Sequence, residues 1–258
     1  MQVAYIGPHG FSGSTVVDVA LAQHRDVVSG GELRYLPRWL KLDLLCTCQR
    51  PLSRCDFWSE VLDSEHRAGL HAIARHGLGN DSVVTGLWQS LLTRMSDVAH
   101  ASVVVDSSKD INRYRMLREA FPRRNLFVHM VRPLKEVVTS AAATKASPAI
   151  SPGAVTTPSP PLRSAARWAR DHGQARALRR LESWNYIRVT HPELVADPEG
   201  ELQRLTQHLG LNFVSEMLTL DCSHLHNISG SRWRFSPAAV QGELTISAQD
   251  VSPVLATC

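Results

Sequence analysis

No apolar run in this 258-residue chain approaches the roughly 20 residues needed to cross a bilayer, so a soluble protein is expected and no membrane partner. The start, Met1 to Gly7, lacks the basic, apolar and small-residue succession of a secretory signal and reads as core from the outset. Cysteine is scarce and odd in number: Cys46, Cys48, Cys55, Cys222 and Cys258 do not describe a disulfide framework. A reducing cytoplasm is the expected setting. There is no basic run and no basic-aromatic ladder, which argues against nucleic acid as a partner. The disorder signature is missing too, since 43% of the residues are hydrophobic and 20% charged, enough to build a core. No internal repeat is visible. The net charge of +4 favours anionic small molecules only mildly, and oligomeric state leaves no mark on the sequence.

What is present is strand-and-helix alternation. Residues 2 to 7 form a short apolar segment that runs into a small-residue loop, residues 7 to 15, and the unbroken stretch Val16 to Gln23 then reads as a helix capped near Ser14 or Thr15. Ser102 to Val105 and Asn125 to Val131 read as buried strands of a parallel sheet, and Tyr186 to Val189 as a weaker fourth. Such alternation predicts an α/β fold with helices on both faces of the sheet, its ligand lying where the loops after Ile6, Val105 and Val131 meet. Residues 146 to 162 carry five prolines and are expected to be a flexible Pro/Ser-rich insertion within a single domain spanning residues 1 to 258. Residues 163 to 183 read as a helix with one basic face.

The loop Gly10, Phe11, Ser12, Gly13, Ser14, Thr15 offers backbone donors at a helix N-terminus, which together with the helix dipole make an anion cradle. It is not a nucleoside triphosphatase loop: five residues separate Gly7 from Gly13, and Ser14 stands where the lysine belongs. The dinucleotide Gly-x-Gly-x-x-Gly pattern is absent as well. Further on come Gly31-Glu32, the run from Asp106 to Asp110 containing Lys109, and Arg132 eight positions before Ser140.

In that order, these pieces resemble the sulfotransferases that use 3'-phosphoadenosine 5'-phosphosulfate (PAPS), especially the bacterial branch akin to tyrosylprotein sulfotransferases. The resemblance runs from about residue 3 to about residue 235. It implies a P-loop-like, three-layer fold with a central, mainly parallel sheet. It also implies transfer of a sulfonate group from PAPS to a hydroxyl, or an amine, of a small-molecule acceptor such as a specialised metabolite, leaving adenosine 3',5'-bisphosphate. Glu32 matches the family's general base and Lys109 the lysine that stabilises the departing bridging oxygen. The loop from Gly10 to Thr15 matches the 5'-phosphosulfate site, and Arg132 and Ser140 the 3'-phosphate site. The late segment His226 to Phe235 resembles one that closes over the nucleotide, with Gly230 allowing close approach and Arg234 and Arg232 adding charge; Trp233 stacks on adenine or sits in the core.

Two positions depart from the family pattern. Phe11 replaces the basic residue expected before Ser12, with His9, Arg34 and Lys109 as candidates to compensate. His191 stands where relatives carry a tyrosine near the nucleotide. Phe11 keeps open a second reading, a non-catalytic protein that binds a nucleotide on the same fold. Cys46, Cys48 and Cys55 show thiolate-metal spacing but supply three ligands of the four zinc prefers; His66 or Cys222 could add one, yet packing or a disulfide is favoured and no metal is expected. The acceptor pocket is expected near Tyr35, Trp39, Trp88 and the Pro-rich loop.

Overall fold

The computed structural model describes residues 1–77, 82–143, 159–181 and 185–246. Five strands form one sheet: β1 (Gln2–Gly7), β2 (Val27–Ser29), β3 (Val103–Asp106), β4 (Asn125–Val131) and β5 (Tyr186–Thr190). Their order is β2-β3-β1-β4-β5 and every neighbouring pair is parallel. The mainly parallel α/β expectation therefore holds. β4 has its expected bounds; β3 ends one residue later than expected, β5 likewise, and β2 had not been foreseen.

The helices are α1 (Ser14–Leu21), α2 (Leu36–Leu42), α3 (Asp56–Val61), α4 (Ser64–His76), α5 (Ser82–Val98), α6 (Ile111–Ala120), α7 (Leu134–Ala143), α8 (Pro161–Leu181), α9 (His191–Ala196), α10 (Pro198–His208) and α11 (Pro237–Val240). Successive strand residues point to opposite faces, so β1 serves two cores at once. Val3 and Tyr5 pack with Trp58, Trp88, Leu117 and Phe127 on one face, while Ala4 and Ile6 pack with Val16, Val17, Leu202 and Leu205 on the other. A sheet covered on both faces explains why its strands read as continuous apolar runs. Among the described residues, no helix is long and apolar enough to cross a membrane.

β1 lies between β3 and β4, the point at which successive crossovers diverge to opposite sides. A crevice opens there, outside the carboxyl ends of the strands, and is the usual ligand position of open α/β sheets. The register sets its floor: Tyr5 lies beside Asp106, and Gly7 beside His129. Most of the expected insertion, residues 146 to 158, lies outside the described residues; its last two positions, Pro161 and Leu162, already belong to α8.

Candidate active site

Beyond β1 the chain turns through His9, Gly10, Phe11 and Ser12 to Gly13, which caps α1 in the left-handed region at φ 87. A Cβ at Gly13 would stand 3.0 Å from the His191 ring, so glycine lets the turn pass over the imidazole. The cap is thus Gly13 rather than the expected Ser14 or Thr15. In the first turn of α1, the amides of Ser14 and Thr15 have no intrahelical acceptor. Together with Gly10, Phe11 and Gly13 they line a cavity of about 320 Å³, near the lower end of the range of roughly 300–1,000 Å³ for ligand pockets. Ser12 does not line it: its hydroxyl is buried and donates to the His9 carbonyl at 2.8 Å.

Glu32 reaches the cavity because the chain after β2 is tied on both sides. The Ser107 amide donates to the Gly31 carbonyl at 2.9 Å, and the Glu32 amide donates to the Ile228 carbonyl at 3.1 Å. Gly31 has φ 74, and any Cβ there would lie 2.4 Å from that Ile228 oxygen. Opposite, the loop after β3 is held by buried polar groups. Asp106 accepts from the Arg113 guanidinium at 2.7 Å and from the Ser108 hydroxyl, while the Tyr5 hydroxyl donates to the Asp110 carbonyl at 2.7 Å. Asp110 in turn caps α6 through the amides of Asn112 and Arg113. Between these anchors Lys109 takes a left-handed backbone, φ 61, and its Nζ meets Glu32 Oε1 at 2.5 Å. The pair is almost buried, each side chain 11% exposed.

Arg132 lies just beyond β4. Its Nε pairs with Glu136 at 2.8 Å, and its Nη1 donates to the Phe11 carbonyl at 3.2 Å and to the Ser140 hydroxyl at 3.3 Å. Arg132 lines the cavity; Ser140 stands behind it on α7 and touches the cavity through that arginine. His191 sits beneath Gly13 rather than beside the opening, 3.8 Å from Glu136. Burial, followed by the nearby Arg132, lowers the His191 pKa to about 4, so the ring is neutral.

Gly230 reaches the cavity wall, whereas Arg234 does not. The expectation that Arg234 adds charge to a nucleotide site is corrected: it is 0% exposed and forms a buried pair with Asp18 of α1, beneath Gly230. Trp233 belongs to the core, as do Trp39 and Trp88, the latter stacked under Arg113 at 3.8 Å. Of the aromatics expected at an acceptor pocket, Tyr35 lines the cavity. Ser164 and Arg167 on α8 line it as well and had no signal in the sequence beyond the basic face of their helix. His9, also lining it, is held by Asp171 of the same helix at 2.8 Å. Burial works against the Asp171 carboxylate, but the hydrogen bonds from His9 and Arg170 outweigh it and keep the pKa low.

Residues 9–215 match the sulfotransferase family model. The chain belongs to the sulfotransferase family. Solved structures share the fold of this sulfotransferase. One is the sulfotransferase domain of the Synechococcus PCC 7002 olefin synthase, at 19% identity and a TM-score of 0.58 over 98% of this chain and 86% of that one. Another is the sulfotransferase domain of the curacin biosynthetic pathway, at 20% identity and 0.59 over 98% and 89%. A third, sulfotransferase STF1 of Mycobacterium tuberculosis, gives 15% identity and 0.50 over 84% and 69%. No curated protein sequence matches this sulfotransferase.

Four basic side chains, Arg34, Lys109, Arg132 and Arg167, face one cavity with Glu32 as the carboxylate on its wall. Each of the four pairs with a carboxylate, Asp110, Glu32, Glu136 and Asp171 in turn, but of these carboxylates Glu32 alone lines the cavity, so the wall itself is basic and suits an anionic ligand; the near-burial of Glu32 and Lys109 strengthens the charge interactions there relative to water. Phe11 forms part of the wall without filling the space, and His9, Arg34 and Lys109, the three candidates to compensate for it, all line the same cavity.

Proposed function

We propose that this sulfotransferase takes its sulfonate from PAPS and passes it to a hydroxyl, or an amine, of a small-molecule acceptor, as a single cytoplasmic domain of bacterial specialised metabolism. The observation that carries the reading is the Lys109–Glu32 contact at 2.5 Å, in the same cavity as the open turn of α1 and Arg132. In this reading Glu32 accepts the acceptor's proton as its oxygen or nitrogen forms a bond to sulfur. The bond from sulfur to the bridging oxygen breaks, and Lys109 neutralises the charge left on that oxygen. The amides from Gly10 to Thr15 hold the 5'-phosphosulfate, with Ser12 contributing backbone alone. Arg132, oriented by Ser140 and Glu136, takes the 3'-phosphate through its remaining guanidinium donors, while His191 supports Gly13 from below and Gly230 lets the late segment approach.

Calorimetry tests this without knowledge of the acceptor. Adenosine 3',5'-bisphosphate is expected to bind at least tenfold more tightly than adenosine 5'-monophosphate, about 1.4 kcal/mol, and Arg132→Ala to erase the difference. Equal affinities in the wild-type protein would remove the role given to Arg132 and Ser140. Glu32→Ala is expected to keep the bisphosphate affinity and, once an acceptor is in hand, to lose turnover; retained turnover would mean that another group takes the proton.

A further inference from the structure

The cysteine trio has its fourth partner in the folded chain, and it is neither of the two the sequence suggested. His66 pairs with Asp63 and contacts Ser90, and Cys222 lies in the core on the opposite face of the sheet. His226 comes instead, 171 positions beyond Cys55, with its Nδ1 3.2 Å from the Cys55 sulfur.

We propose that Cys46, Cys48, Cys55 and His226 form a tetrahedral zinc site that fastens the late segment of the chain to the wall of the active site. One ligand atom from each of the four residues lies within 4.8 Å of all the others. Zinc bonds of about 2.3 Å to sulfur and about 2.0–2.1 Å to nitrogen give tetrahedral edges of roughly 3.5–3.8 Å, so no edge of the cluster needs to contract by much more than about an ångström to close on the ion. Three thiolates and one imidazole are a donor set that favours zinc over the hard, oxygen-seeking cations. The scaffold is already formed. Cys46 and Cys48 sit on a tight turn in which the Gln49 amide donates to the Cys46 carbonyl at 2.9 Å and the Cys46 amide to the Arg50 carbonyl at 2.9 Å. Cys55 directly precedes α3. The His226 ring is stacked on Phe57 at 5.2 Å and 12°, and its carbonyl accepts from the Trp58 indole at 2.8 Å. Orientation of a histidine ligand by its neighbours is a usual feature of metal sites.

The consequence for the enzyme lies in the next residues. The Asn227 carbonyl accepts from the Thr47 amide, and Ile228 bonds to both Gly30 and Glu32, two residues before Gly230 enters the cavity wall. An ion at His226 therefore holds in place the strip of chain on which Glu32 hangs. A disulfide would join two sulfurs and leave the third sulfur and the imidazole outside the link. The inference stands independently of donor and acceptor.

The test uses the full chain, purified from zinc-supplied cells under reducing conditions. Elemental analysis is expected to give about one zinc per chain, surviving dialysis against a weak chelator. Cobalt exchange is expected to produce the strong visible bands of a tetrahedral thiolate-bound ion. Cys48→Ser, at a partly exposed position, and His226→Gln are each expected to lower zinc affinity more than about 100-fold, beyond the range for outer-shell partners. A metal-free protein that gives no cobalt bands on titration overturns the proposal, as does a disulfide within the trio found by mass spectrometry. Full zinc content in both variants overturns the ligand assignment. Should either variant fail to fold, the wild-type stoichiometry and cobalt spectrum decide. A negative result here leaves the nucleotide-binding comparison unaffected.

Discussion

Replacing Arg234 by methionine separates a structural role from a ligand-binding one. Arg234 and Asp18 are both 0% exposed, and the carboxylate also accepts from the Ser29 hydroxyl and from the Ser107 hydroxyl at 2.8 Å. Methionine fills much of the arginine volume but leaves the buried Asp18 carboxyl with two neutral donors and no cation. Breaking a buried pair from one side typically costs about 3–5 kcal/mol, because the stranded charge has lost its water as well as its partner. At roughly 2–4 °C per kcal/mol for a chain of this size, Tm should fall by about 6–20 °C. Urea unfolding followed by fluorescence measures this directly, with the m value unchanged. Adding Asp18→Asn to Arg234→Met removes the stranded charge, so the double variant should be more stable than Arg234→Met alone. If Arg234→Met stayed within about 0.5 kcal/mol of the wild type, the level of ordinary surface changes, while bisphosphate binding collapsed, the buried-pair reasoning would be refuted and the arginine would belong to the nucleotide site.

Phe11→Arg places a further cation on the cavity wall at a residue whose carbonyl already contacts Arg132. It should tighten bisphosphate binding about tenfold in calorimetry, the worth of one charge-assisted hydrogen bond of about 1.5 kcal/mol; unchanged or weaker binding would show that the loop does not aim this position at the ligand. His129, His172 and His191 have pKa values lowered to about 3, about 4 and about 4, chiefly by burial. Folded values below the unfolded value of about 6.5 mean that the unfolded chain binds more protons, so stability is full above pH 6.5 and falls toward pH 4, by up to about 2 kcal/mol per histidine at pH 5. Urea midpoints at pH 7.5 and pH 5 should differ less in His172→Gln than in the wild type; identical pH dependence would mean that His172 is not held neutral.

Much of the fold was readable because buried parallel strands are apolar along their whole length: β1 and β4 stand out in the sequence. β2 was not, since it has three residues between a polar turn and two glycines, and only its pairing with β3 makes it a strand. The cavity lining was readable where residues sit on loops that follow foreseen strands, as with Lys109 and Arg132, for the sheet brings those loops together whatever lies between them. It was not readable where burial decides a role. Arg234 reads as a surface cation until Asp18, more than two hundred positions away, is seen to enclose it. His226 reads as a loop residue until the same long closure sets it against Cys55. Arg167 and Ser164 depend on where α8 docks, which no local pattern encodes.

The contact between Lys109 and Glu32 gives the proposed transfer an order. Before reaction each side chain neutralises the other at 2.5 Å in a nearly buried cavity, so neither is an isolated charge out of water. During transfer the bridging oxygen gains negative charge, and Lys109 has a second anion to serve. Its hold on Glu32 loosens as the carboxylate is required to take a proton, and once protonated Glu32 no longer needs a cation. Deprotonation of the acceptor and neutralisation of the leaving oxygen are then coupled through one ammonium group. The left-handed backbone at Lys109, held between the Asp106–Arg113 pair and the Tyr5–Asp110 hydrogen bond, sets that ammonium against Glu32 on the cavity wall.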